Sequence, residues 1–148
     1  MNKYGPIIIV EDDEDDCQFM EEVFVDMGTK YERTYFSSGQ EALNFLSTTS
    51  VQPFLIISDV NLPGLDGPKF KLTLNENEYL RKKSIPFVFL TTTANREAVV
   101  KAYEMMVQGY FEKPTRHAEI KTLLKLILDY WEVCLHPNTF FDGKAEAS

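Results

Sequence analysis

Six consecutive acids, Glu11-Asp12-Asp13-Glu14-Asp15-Asp16, follow the apolar run Ile7-Ile8-Ile9-Val10 with nothing between them. Asp59 ends the run Phe54-Leu55-Ile56-Ile57-Ser58, Thr91 follows Pro86-Phe87-Val88-Phe89-Leu90, and Lys113 comes just after Gly109-Tyr110-Phe111. Each chemically capable side chain therefore stands where an apolar run stops. Carboxylates brought together repel one another unless a cation lies between them, and carboxylates with backbone oxygens and water are the ligands Mg²⁺ selects. The charges of Glu11, Asp12 and Asp59 would be cancelled by Lys113 and one Mg²⁺. Thr91, Lys113 and the metal are typed to hold the oxygens of a phosphoryl group. The predicted chemistry is phosphoryl transfer to a carboxylate.

These residues meet only if the apolar runs lie side by side and point the same way. Five short runs alternate with five segments of helical period. The strands are expected at Ile7 to Val10, Tyr31 to Phe36, Phe54 to Ile57, residues 86 to 90, and Gly109 to Phe111. Between them, Cys17, Met20, Phe24 and Met27 share one helical face that Gly28 is placed to end. Gly39 to Leu46 is a short helix with Ala42, Leu43 and Leu46 inward. A third helix runs from Lys69 to Leu74 behind Pro68 and closes in the polar stretch Asn75-Glu76-Asn77-Glu78. A fourth presents Val99, Ala102, Tyr103 and Met106 inward, and the last presents Ile120, Leu123, Leu124, Ile127 and Trp131. Strictly alternating strands and helices imply right-handed crossovers and a parallel sheet covered on both faces, an α/β fold built as a three-layer αβα sandwich. In such a sheet ligands bind beyond the carboxyl ends of the strands, where the acids, Thr91 and Lys113 fall.

The 148 residues are 44% hydrophobic, enough for one core, assigned to residues 3–135 with a tail over 136–148. With 23 Asp and Glu against 15 Lys and Arg, the net charge of -8 argues against a nucleic-acid partner, which needs a basic face. No apolar stretch reaches membrane-spanning length or resembles a signal sequence. Cys17 and Cys134, without CxxC spacing, fit reduced thiols in a cytoplasmic protein, Cys17 in the core. His117 and His136 lack partners at metal-ligand spacing and are expected at the surface, and Met105-Met106 in the core.

Four stretches in this order resemble the receiver family of two-component response regulators: IIIVEDD, LIISDVNLPGLDG, VFLTTTA and GYFEKP. The resemblance covers roughly residues 3 to 130 and implies a flavodoxin-like sheet order of 2-1-3-4-5. It implies that Asp59 is the phosphoacceptor and that Asp12 ligates Mg²⁺ directly, with Glu11 acting through water and Asn61 supplying a backbone carbonyl. Thr91 and Lys113 would each take a phosphoryl oxygen, and Tyr110 would change rotamer with the state of Thr91. The donor would be a sensor histidine kinase or a histidine phosphotransfer protein, and the output phosphorylation-dependent protein binding. The ending Ile127 to Val133 with Pro137 is loosely similar to single-domain receivers that serve phytochrome-type kinases, with possible homodimerisation through the last helix.

Simpler roles exist for each residue alone. Asp13 to Asp16 in a first helical turn complement the helix dipole without any ligand. Asp59 and Asn61 could be turn formers, and Lys113 an exposed lysine. The combination favours the site. A Mg²⁺-dependent aspartyl-nucleophile phosphatase is the alternative, but it needs a second acid two residues after the nucleophile, where Asn61 stands. A flavin carrier would need a phosphate-cradling loop where this chain has EDDEDD. One departure from the family is Met106-Val107 in place of a common Gly-Ala pair, which predicts a rebuilt end to the fourth helix.

Overall fold

The central strands β1 (Ile7–Val10), β3 (Leu55–Ser58) and β4 (Phe87–Thr91) are buried along their whole length, as expected of runs apolar on both faces. With β2 (Arg33–Phe36) and β5 (Gly109–Glu112) they form one parallel sheet in the order β2-β1-β3-β4-β5. These features come from a computed structural model that describes residues 5–140. The ends of the expected domain and tail, residues 3–4 and 141–148, lie outside the described residues.

Register fixes which residues share the carboxyl edge. Val10 lies opposite Phe36 and Ser58, and Thr91 lies opposite Glu112, so the residues just past β1, β3 and β5 emerge together beside Thr91. Alternation along the strands divides the core in two. Ile7, Ile9, Leu55, Ile57, Val88 and Leu90 pack beneath α1 (Glu14–Met27) and α6 (His117–Val133). Ile8, Val10, Ile56, Phe87 and Phe89 face α2 (Gly39–Thr48), α3 (Gly67–Glu76), α4 (Glu78–Lys83) and α5 (Arg96–Glu104).

Among the described residues six α-helices are present where five were expected. Asn77 accounts for the extra one: its N–H closes α3 on the Thr73 carbonyl, and its side chain accepts from the Leu80 N–H to cap α4. The polar stretch that was expected only to end a helix also starts one. The fourth and fifth helices of the expected pattern are therefore α5 and α6.

Two further expectations are corrected. Of the inner face assigned to α5, Ala102 is buried and Val99 half-buried, while Tyr103 and Met106 are exposed. The helix stops at Glu104, and Met106 leaves it with φ 68°, so helical spacing no longer governs where its side chain goes. The end of α5 is thus a left-handed turn carried by methionine, with Val107 taking the buried place. Nor is His136 a surface residue. It is fully buried, stacks on Phe54 with ring centroids 4.9 Å apart, donates from Nε2 to the Phe54 carbonyl and accepts the Asn138 N–H on Nδ1 at 2.9 Å. With both ring nitrogens satisfied, burial costs this histidine little. The segment after α6 packs on the sheet through it, followed by a 3₁₀ turn at Pro137–Phe140.

Candidate functional site

Glu11, directly after β1, continues the sheet pattern with its N–H on the Phe36 carbonyl. Its side chain turns inward and is only 5% exposed. Asp59, directly after β3, donates its N–H to the Val10 carbonyl, so strand pairing places the two acids side by side. Lys113 follows β5 and is anchored by its N–H on the Thr91 carbonyl at 2.8 Å. The loop from Asp59 to α3 folds back tightly at Gly67, where a Cβ would come within 2.5 Å of the Asp59 carbonyl. Glycine is required there by close approach rather than by φ.

Glu11, Asp12 and Asp59 each offer a carboxylate oxygen within 4.8 Å of the other two. Asp12 is exposed and Asp59 half-buried, so the cluster opens to solvent on one side. Lys113 supplies the balancing charge. Its Nζ lies 2.8 Å from Glu11 Oε1, 3.1 Å from Asp16 Oδ2 and 4.0 Å from Asp59 Oδ2. Burial pushes the Glu11 carboxyl up to about 6 even though Lys113 opposes the shift, and the charge of Asp59 adds to it. Burial acts to lower the pKa of Lys113, but the bonds and charges of Glu11, Asp16 and Asp59 outweigh it and the ammonium is held. Such a donor set, three clustered carboxylates beside one lysine, suits a hard divalent cation.

Thr91, wholly buried, accepts the Thr93 N–H on its hydroxyl oxygen at 3.2 Å. That leaves the hydroxyl proton available to another acceptor. Tyr110 is half-buried, with its ring edge-on to Phe89 and its hydroxyl donating to the Thr93 carbonyl. Asn61 is exposed; its N–H donates to Asp59 Oδ1 at 3.2 Å and its side-chain amide donates to Thr93 Oγ1 at 2.6 Å. All seven residues singled out in the sequence therefore fall within one region of the carboxyl edge.

Two participants were missed. Asp16 was assigned with Asp13 to Asp16 to the helix dipole alone, yet it shares Lys113 with Glu11. Asp13 does serve the helix, accepting the N–H groups of Asp15 and Asp16 as N-cap. No sequence signal separates Asp16 from its acidic neighbours; its place in the first turn of α1 brings it to Lys113. Thr93 is the other, a hub touching Thr91, Asn61 and Tyr110 through three different atoms. Cys17, expected in the core, is half-buried beside the site with its thiol on the Glu11 carbonyl, and burial plus the nearby acids push that thiol up to about 11. It is no nucleophile at neutral pH.

A parallel sheet in this order, with an acid cluster, a hydroxyl and a lysine at its carboxyl edge, defines a class. The model of the response regulator receiver domain matches residues 7–125, and the chain belongs to that family. It is 30% identical over 130 residues to response regulator Rcp1 of Synechocystis sp., an alignment covering 84% of this chain and 87% of that protein. Among solved structures, the phosphorylated cyanobacterial phytochrome response regulator RcpA superposes with a TM-score of 0.80 at 25% identity, covering 90% of this chain and 99% of that one. The Mn²⁺-bound form of Rcp1 gives 0.78 at 29% identity, again over 90% and 99%. The family consists of signalling receivers rather than classical enzymes. No helix among the described residues is long and apolar enough to cross a membrane.

Proposed function

We propose that this protein is a phosphorylation switch in which Asp59 takes a phosphoryl group from a phosphohistidine on a sensor histidine kinase or histidine phosphotransfer protein. The observation that carries the reading is the half-buried Lys113 ammonium, fixed by Glu11 at 2.8 Å and standing 4.0 Å from the Asp59 carboxylate. An Asp59 oxygen attacks phosphorus while the bond from phosphorus to the donor imidazole breaks, and the imidazole nitrogen leaves with the electron pair. Positioning and charge stabilisation do most of this work. Asn61 N–H orients the Asp59 carboxylate through Oδ1. Lys113 is within a short side-chain movement of a phosphoryl oxygen on Asp59, and the free proton of the Thr91 hydroxyl suits it to another.

A Mg²⁺ ion held by Glu11, Asp12, Asp59 and the Asn61 backbone carbonyl would supply neutralising charge for the incoming group. New oxygens on Asp59 that draw Thr91 toward them would disturb the Thr91 bond to Thr93, and through Thr93 the seat of Tyr110. That relay favours altered surfaces on α5 and β5 as the output, read by a cytoplasmic protein partner. Leu126, Tyr130 and Val133 form an exposed apolar row on α6, which supports homodimerisation through that helix.

Incubation with acetyl phosphate and Mg²⁺ tests the reading. It should yield one acid-stable, hydroxylamine-labile adduct that Asp59→Asn abolishes, and beryllofluoride should shift resonances of Thr91, Thr93 and Tyr110. Absence of both results would overturn it.

A further inference from the structure

Lys71, on α3, is only 8% exposed. Its Nζ donates to Asn75 Oδ1 at 2.8 Å and lies 5.4 Å from the centre of the Phe87 ring. Burial pushes the ammonium below its usual range, and no acidic neighbour counters that push. Arg81 of α4 converges on the same asparagine, with Nη1 3.4 Å from the Asn75 carbonyl. Among the described residues neither cation makes an ion pair. A buried lysine is ordinarily paired, and a chain of net charge -8 has acids to spare.

Both cations line a cavity of about 260 Å³. Its polar side includes Gln108, whose Oε1 is committed to the Phe87 N–H, so the amide hydrogens are the part left to offer. Asn75 and Ser84 add to that polar side, and Leu74, Ile85 and Met106 are among the apolar residues of the rest of the wall. Ile85 precedes β4 and Gln108 precedes β5, which puts the cavity at the amino ends of the strands, across the sheet from Asp59.

We propose that this cavity binds a small organic carboxylate, its charged end on Lys71 and Arg81 and its short apolar body against Leu74, Ile85 and Met106. The volume equals roughly nine waters, room for a few carbon atoms and one charged group. A phosphate dianion fits less well, because several of its oxygens would be stripped of water against apolar walls. Asn75 carries occupancy outward. Its amide nitrogen donates at 3.0 Å to the carbonyl of Met105, the C-cap of α5. A ligand that competes for the hydrogens Lys71 and Arg81 give to Asn75 therefore bears on the α5 terminus.

The test is an amide NMR titration of the ¹⁵N-labelled full chain with sodium butyrate, and separately with inorganic phosphate, at constant ionic strength in EDTA. Butyrate should give saturable shifts at Lys71, Gln108 and Met106. Lys71→Met, which keeps the side-chain length without the charge, should weaken binding about tenfold or more. Arg81→Gln, altering an exposed side chain, should weaken it about threefold. Non-saturating shifts, or unchanged affinity in Lys71→Met, would overturn the proposal. Should that variant not fold, unchanged affinity in Arg81→Gln would do so, and saturation by phosphate but not butyrate would refute the carboxylate class. None of these readouts involves Asp59, so they stand apart from the phosphorylation reading.

Discussion

Lys113 and Glu11 form a largely buried ion pair at 2.8 Å, with side chains only 10% and 5% exposed. Removing one partner leaves the other charge buried without compensation, which is costlier than never having had the pair. Lys113→Met should therefore destabilise the metal-free protein by about 3 kcal/mol. Three uncompensated acids also form a better cation site, so added Mg²⁺ should recover much of the loss. Urea unfolding in EDTA and in Mg²⁺ measures both terms. Equal losses in the two conditions would mean that Lys113 and the metal do not share the same charges.

The raised Glu11 carboxyl gives the metal-free protein a definite pH response. Its folded pKa of about 6 lies above the ordinary glutamate value near 4.3, so between those limits the folded state binds more protons than the unfolded one. Stability contributed by this group is present at low pH and falls as pH rises through the window, by about 2 kcal/mol in all. Glu11→Gln should remove that slope. The check is the difference in unfolding free energy between wild type and variant from pH 4.5 to 7 in EDTA, and a difference constant across the range would refute the assignment.

The strands and their end residues were legible because each apolar run is punctuated by one polar residue of distinctive type. Asp59, Thr91 and Lys113 could be found that way, and the parallel order brings them together. Asp16 was hidden inside a run of like residues whose members differ only in direction, which one turn of helix decides. Thr93 is one threonine among three, and its importance comes from backbone as well as side-chain atoms, which no residue type announces. Lys71 and His136 were obscured by the rule that polar side chains face water; each is buried because particular partners, Asn75 with the Phe87 ring and Phe54 with Asn138, accept it. Asn77 ends one helix and starts the next, a double use that composition does not distinguish from a single cap.

Tyr110 donates its hydroxyl to the Thr93 carbonyl. If activation moves the ring away, deleting the hydroxyl penalises only the resting state. Tyr110→Phe should cost about 1 kcal/mol of resting stability and tighten beryllofluoride binding about fivefold. Isothermal titration in excess Mg²⁺ reads the second quantity. Loss of stability without a gain in affinity would show that the bond to Thr93 persists in the activated state.

Met106, two residues past the end of α5, adopts φ 68° with its side chain 70% exposed. A left-handed conformation costs a residue with a Cβ about 1–2 kcal/mol, and glycine adopts it freely at the expense of a floppier unfolded chain. Little burial is lost when so exposed a side chain is removed. Met106→Gly should therefore stabilise the protein by up to about 1 kcal/mol, visible as a higher urea midpoint with an unchanged slope. The same substitution removes an apolar wall of the cavity that contains Lys71. Butyrate affinity should fall while stability rises, opposite signs that a general loosening of the α5 terminus cannot produce.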